Sequence, residues 1–299
     1  LRVPPIVLEK DYWISQVLRH ISEAYPDDFI FKGGTSLSKG YSLINRFSED
    51  LDLLIVPAER GLGTVDKLMK QMAYSAAEYI GGEPRPQPYP DRGLKRSYVV
   101  SYRGKLEETP LISHGVLMEM GVRGGPQPAE PRTIGSLLGA ALVEAGQDAE
   151  EFDDLRSCQT PLLHPGRTLL EKLSIAHRES LRLLQADDVP KPNVGRHFFD
   201  LYFLLQDDAV LAFLNDRYLV QEVLEDIQVI TDRYFSTQGP AETRPSEGFA
   251  ASAAFDGSSP ASLQLQRSYY DTMPELNFGD DLPEWTEILE LVHRHAALL

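Results

Sequence analysis

The spacing of apolar and polar positions divides the chain into two parts of different character. Over residues 5–24, Ile6, Trp13, Val17, Leu18 and Ile21 recur at helical intervals and predict an opening helix. DFIFKGG then predicts a short strand that stops at the paired glycines Gly33 and Gly34. A helix over 35–43 follows, with Thr35 or Ser36 as its cap, and SEDLDLLIV alternates into a second strand ending at Pro57. A helix over 65–79, strands over 98–102 and 115–122, and a Gly/Pro-rich break over 124–131 complete an α/β first half. The stretch from there to Pro165 carries no clear period. Beyond it, helical spacing recurs over 168–185, 196–207, 218–235 and 283–297, so the second half is expected to be mostly α. Residues 236–262, rich in Ser, Gly, Pro and Ala, predict a long exposed loop or linker. The expected organisation is an α/β domain over 1–160 and a helical domain over 161–299.

Composition narrows the class. The 299 residues are 42% hydrophobic and 25% charged, which excludes disorder, collagen and coiled coil. The longest apolar runs, such as SLLGAALV, fall far below the roughly 20 residues that span a bilayer, so no membrane partner is expected. A single cysteine, Cys158, makes no internal disulfide and suits a reducing cytoplasm. The net charge of −16 would argue against a nucleic-acid partner, but residues 1–150 carry −3 of it and residues 151–299 carry −13. Within the first half, residues 85–105 hold six basic residues and one acid, with Tyr89, Tyr98 and Tyr102 interleaved. This stretch reads as a nucleic-acid surface, with Arg92, Lys95, Arg96 and Arg103 as candidate RNA contacts, or as a solvated hairpin whose basic stems cover apolar surface.

The densest chemistry lies in FKGGTSLSK and RFSEDLDLL. Residues two apart in a strand share a face, so Asp50 and Asp52 project together while Leu51 and Leu53 point to the core. Adjacent carboxylates repel unless a cation compensates, and Mg²⁺ or Mn²⁺ with hard oxygen ligands does so where phosphates are handled. The alternative is a solvent-facing strand with two harmless acids. Gly33 and Gly34 remove side chains where backbone N–H groups would approach a triphosphate, and the next helix start adds its dipole and the Thr35 or Ser36 hydroxyl. Glu119, in GVLMEMGV, could complete the metal set from a neighbouring strand, or be an exposed acid or a partner of Arg123. In the helical half, Lys172 lies at the edge of an apolar stripe and Asp200 sits inside FFDLYFLL, where a carboxylate needs a fixed partner. They are a phosphate clamp with its base or orienter, or a structural ion pair tying two helices.

A glycine pair, fifteen residues, then Asp-Leu-Asp resembles the signature of the DNA polymerase β nucleotidyltransferase superfamily. With EKDYW at 9–13, FKGGTSLSK, RFSEDLDLL, the EKL…AHR stretch around Lys172 and RHFFDLYFLL around Asp200, in that order, the chain is similar to the AbiEii-type nucleotidyltransferase toxins. The resemblance implies a polymerase β-like α/β domain with a mixed sheet, followed by a mostly helical domain that completes the active-site cleft. It implies that Lys32, Gly33, Gly34, Thr35, Ser36 and Ser48 surround the NTP, and that Asp50 and Asp52, with Glu119 as a less secure third acid, carry metal. Lys172 and Asp200 match the later catalytic motifs. It further implies a separately encoded antitoxin, with or without direct contact, a role in arresting growth or phage propagation, and tRNA as the foremost acceptor. A small-molecule or protein acceptor, or a catalytically silent NTP-binding module, is the alternative.

Overall fold

The computed structural model describes residues 3–48, 50–107, 112, 114–185, 188–235, 240–277, 279 and 282–299. The chain divides into two units, one of Leu1–Ser42 and Phe47–Leu163, the other of Leu43–Arg46 and His164–Leu299.

In the first unit the elements run α1 (Pro5–Ala24), β1 (Phe29–Lys32), α2 (Gly33–Lys39), β2 (Asp50–Ile55), α3 (Leu62–Tyr79), β3 (Pro84–Pro86), β4 (Lys95–Val100), β5 (Val116–Gly121), β6 (Ala129–Ile134), α4 (Leu137–Glu144) and β7 (Cys158–Leu163). The strands form one sheet of order β3-β4-β5-β2-β1-β7-β6. It is mixed: β2 runs parallel to β5 and β1 to β7, and the other pairs are antiparallel.

Strand alternation gives the sheet two chemically different faces. Phe29, Phe31, Leu51, Leu53, Ile55, Met118, Met120 and Tyr98 join one core with the apolar stripes of α1 (Ile14, Val17, Leu18, Ile21) and α3 (Val65, Met69, Met72, Ala73, Ala76). Burying these side chains, at roughly 1.5–3 kcal/mol for each large one, is the main force holding the layer together. The opposite face carries Asp50, Asp52, Glu119 and Lys32 beside a small apolar group of Ile30, Leu54 and Leu163.

EKDYW fastens the α1 layer. Glu9 accepts from the Lys105 amide at 2.6 Å, the Lys10 ammonium donates to the Gly115 carbonyl, and Asp11 pairs with Lys39 and accepts from the Leu137 amide at 2.7 Å. Tyr12 donates to Asp154 at 2.9 Å, and Trp13 stacks on Tyr102 with ring centres 5.3 Å apart.

Three expectations for this unit change. The helix after the glycines starts at Gly33 and ends at Lys39, so Thr35 and Ser36 lie inside it and Lys32 holds the cap position. The Gly/Pro-rich break gives way to β6, which tolerates Pro131 because it lies at the sheet edge. The segment without a period holds α4, a 3₁₀ turn at Ala149–Glu151, and β7.

The second unit is helical: α5 (Pro165–Gln185), α6 (Gly195–Leu204), α7 (Asp208–Asn215), α8 (Arg217–Tyr234), α9 (Pro260–Leu276) and α10 (Trp285–Arg294). Phe198 of α6 is fully buried, with ring centres 5.9 Å from Phe255 and 4.6 Å from Trp285. The expected loop over 236–262 is corrected where it is described, residues 236–239 lying outside the described residues. Phe249 and Phe255 are fully buried, and Pro260 opens α9 at a first-turn position where its missing N–H costs nothing.

Candidate active site

Asp50 and Asp52 are half-buried and share the sheet face away from α1 and α3. Across the ladders Asp52 stands opposite Lys32 on β1 and Glu119 on β5, and Glu119 in turn stands opposite Ser97 on β4. One row of four strands therefore reads lysine, aspartate, glutamate, serine. Glu119 leans to the β4 side, 3.5 Å from both the Lys95 ammonium and the Ser97 hydroxyl, and Arg123 pairs with Asp91. Lys95 is thus a basic partner of Glu119 that the sequence reading did not name.

The glycine turn is built against this row. Gly33 has φ +78°, and a Cβ added there would lie 2.0 Å from Asp52 Oδ2. Glycine is required twice over, for its left-handed backbone and for the room the carboxylate occupies. The Thr35 hydroxyl donates to the Asp50 carbonyl at 2.7 Å and hydrogen-bonds the half-buried Ser48 hydroxyl at 2.8 Å, and the fully buried Ser36 hydroxyl donates to the Gly33 carbonyl at 2.9 Å. These hydroxyls, which the sequence assigns to phosphate, here hold the shape of the turn. The Lys32 side chain makes no capping bond, and the amides of a helix's first turn have no partners within the helix.

Asp50 and Asp52 offer the hard oxygen donors that suit Mg²⁺ or Mn²⁺. Among the described residues no group of three or more His, Cys, Asp or Glu is gathered to hold a metal ion. The residues fit the group as a two-carboxylate set, with Glu119 adjacent in register but directed to Lys95.

In the helical unit Lys172 of α5 and Asp200 of α6 come together, Nζ to Oδ2 at 2.8 Å, with Asp200 wholly excluded from solvent. A third residue completes the cluster: the Arg46 guanidinium grips Asp200 through Nε–Oδ1 at 2.6 Å and Nη2–Oδ2 at 2.7 Å. Burial alone would raise the Asp200 pKa, but the charges and hydrogen bonds of Arg46 and Lys172 override it and hold the carboxyl far below its usual range. A carboxylate so held is a poor proton acceptor and a good orienter. His197 Nδ1 lies 3.4 Å from Lys172 Nζ, and desolvation, reinforced by that ammonium, keeps the imidazole neutral. Arg46 and His197 are missing from the sequence-derived site; Arg46 stands inside RFSEDLDLL, and its partner 154 residues away leaves no local signal.

The basic stretch divides on folding. Arg92, Lys95 and Arg103 are exposed, as is Tyr89 at 92%. Arg96 is not part of an open track: its guanidinium donates to both oxygens of buried Asp66, at 2.8 and 3.1 Å, and pins β4 to α3. Tyr98 and Tyr102 are core residues and offer no stacking face.

No helix among the described residues is long and apolar enough to cross a membrane. No curated protein matches the sequence. Among solved structures, the nucleotidyltransferase toxin MenT4 from Mycobacterium tuberculosis H37Rv is similar in fold, with a TM-score of 0.58 over 97% of this chain and 82% of that one, at 18% identity. The sequence model described as nucleotidyl transferase AbiEii toxin, type IV toxin–antitoxin system, matches residues 16–290. The chain therefore belongs to the AbiEii family of nucleotidyltransferase toxins of type IV toxin–antitoxin systems.

Proposed function

We propose that this toxin transfers a nucleotide from a metal-bound NTP to an RNA acceptor, with tRNA the foremost candidate, and so arrests growth or phage propagation. The observation that carries the reading is the close fit of Gly33 against Asp52 on the sheet face that also bears Asp50. A side-chain-free backbone turn next to paired carboxylates is what a triphosphate with its cation needs.

In this reading Asp50 and Asp52 hold the divalent ion, and the first-turn amides of Gly33, Gly34 and Thr35 face the phosphates, shaped by Ser36 and Ser48. A bound Mg²⁺ or Mn²⁺ supplies charge neutralisation on the triphosphate and lowers the pKa of an attacking hydroxyl. Lys172 meets the triphosphate and stabilises the departing pyrophosphate, and Asp200 orients Lys172 rather than taking a proton. Arg92, Lys95 and Arg103 meet acceptor phosphates, and Tyr89 stacks on an unpaired base. The antitoxin is a separately encoded partner.

The test is incubation with Mg²⁺, each of the four labelled NTPs and total tRNA, beside Asp50→Ala. A labelled RNA band with one NTP, absent in the folded variant, supports the proposal. Consumption of NTP with label elsewhere moves the acceptor to a small molecule or protein. NTP binding without turnover on any acceptor leaves a silent module and sinks it.

A further inference from the structure

We propose that Arg46 is a positioning residue that divides the Asp200 carboxylate between two cations, so that Lys172 keeps electrostatic attraction in reserve for the nucleotide's triphosphate. The inference rests on the reading of Lys172 as the triphosphate contact and adds to it a residue to which the sequence-derived site gives no role.

The geometry is unequal. Arg46 occupies both oxygens of Asp200, Nε on Oδ1 and Nη2 on Oδ2, whereas Lys172 brings a single ammonium to Oδ2 at 2.8 Å. The planar fork of a guanidinium matches a carboxylate in a way that an ammonium cannot, so Arg46 is the stronger claimant. The side chains of Asp200 and Arg46 are 0% and 3% exposed, so water does little to screen the sharing. His197 also lies beside Lys172, and its neutral ring offers a lone pair rather than a charge.

Arg46 is itself fixed. Residues Leu43–Arg46 cluster with the helical unit although they connect α2 to β2, and the Arg46 backbone forms an antiparallel bridge with Asn277. The fork is thus delivered on an anchored segment. Without it, Asp200 would turn its full charge on Lys172 and compete with an incoming phosphate for the same ammonium.

This arrangement predicts that loss of one partner of the ion pair weakens nucleotide binding while loss of the other partner's charge does not. Affinity for a non-hydrolysable NTP analogue is measured by calorimetry in Arg46→Gln, Arg46→Lys, Asp200→Asn and Lys172→Ala, with melting followed in each. Arg46→Gln weakens binding about ten-fold, in the range of desolvated charge pairs, and Arg46→Lys, which returns the charge without the fork, restores only part of the loss. Asp200→Asn, which removes the competing charge but keeps an oxygen to orient Lys172, leaves binding equal or tighter. A purely structural cluster instead predicts that Arg46→Gln and Asp200→Asn weaken binding together, and that result overturns the proposal. If Arg46→Gln does not fold, Asp200→Asn decides alone: weaker binding by the folded variant counts against charge division. Lys172→Ala separates the two claims. If it leaves affinity unchanged, the triphosphate reading fails first; if it weakens affinity while Arg46→Gln does not, only the role of Arg46 fails.

Discussion

Glu119 stands opposite Asp52 across the β2–β5 ladder, while its carboxylate is held 3.5 Å from the Lys95 ammonium. Both partners are more than a third exposed, so the pair contributes only about 0.2–1 kcal/mol. Lys95→Gln should therefore free Glu119 towards the aspartates and tighten Mn²⁺ binding by about two- to five-fold, a change of the size such a pair allows. Titration calorimetry checks this; unchanged affinity would leave Glu119 outside the metal set.

Gly33→Ala should damage the site out of proportion to its size. The new methyl would fall on Asp52 Oδ2, and the left-handed backbone adds about 1–2 kcal/mol of strain. A displacement of Asp52 approaching an ångström lowers transfer about 100-fold. Turnover and melting of the same sample separate lost chemistry from lost fold; retention of full transfer would show the acid is not needed at this spot.

The basic residues of 85–105 should separate into two classes. Arg92→Ala and Arg103→Ala each weaken RNA binding across sequences and reduce the salt slope by about 1. Melting stays within about 0.5 kcal/mol of the parent for both exposed changes. Arg96→Ala takes the guanidinium from buried Asp66 and leaves its carboxylate only the Lys70 ammonium at 2.9 Å and the Gly93 amide at 3.2 Å, at a cost of about 1–3 kcal/mol. Filter binding at several salt concentrations, with denaturation curves, checks the division; a normal salt slope in Arg92→Ala and Arg103→Ala would remove RNA from this face.

Stability should fall as the medium becomes acidic. Burial, with the Lys172 charge at His197, holds His177 and His197 below their ordinary value of 6.5. The unfolded chain then takes up protons near that pH while the folded chain does not, so folding free energy is lost as pH drops through about 6.5. Asp200, depressed in the fold, adds a second loss below about pH 4, where the unfolded chain is protonated first. Urea midpoints between pH 8 and 5 read the first limb, and His177→Gln should make it shallower. A flat profile would mean these histidines titrate normally.

Local pattern revealed those parts of the fold whose chemistry is local. The α1 stripe, the β1–glycine turn, and the alternation that sets Asp50 and Asp52 against Leu51 and Leu53 all follow from spacing of two, three or four residues. Lys172 and Asp200 stood out because a charge among apolar neighbours needs a partner. What stayed hidden depends on distant chain. Pro-Arg-Pro as β3 and Pro131 in β6 are tolerable only at sheet edges, which topology decides. Phe249 and Phe255 lie in a stretch whose composition is that of a loop, and only packing makes it core. Arg96 and Tyr98 looked like part of an open basic and aromatic surface until α3 placed Asp66 and an apolar stripe beside them.

Because four residues between α2 and β2 belong to the helical unit, cutting the gene at the junction of residues 163 and 164 would not yield two self-sufficient pieces. The carboxyl-terminal fragment would leave Asp200 with Lys172 but without its guanidinium, and would have to borrow that group from the amino-terminal fragment. Complementation between separately expressed fragments would then report on delivery of one arginine, and each fragment could be made in cells that the whole toxin would poison.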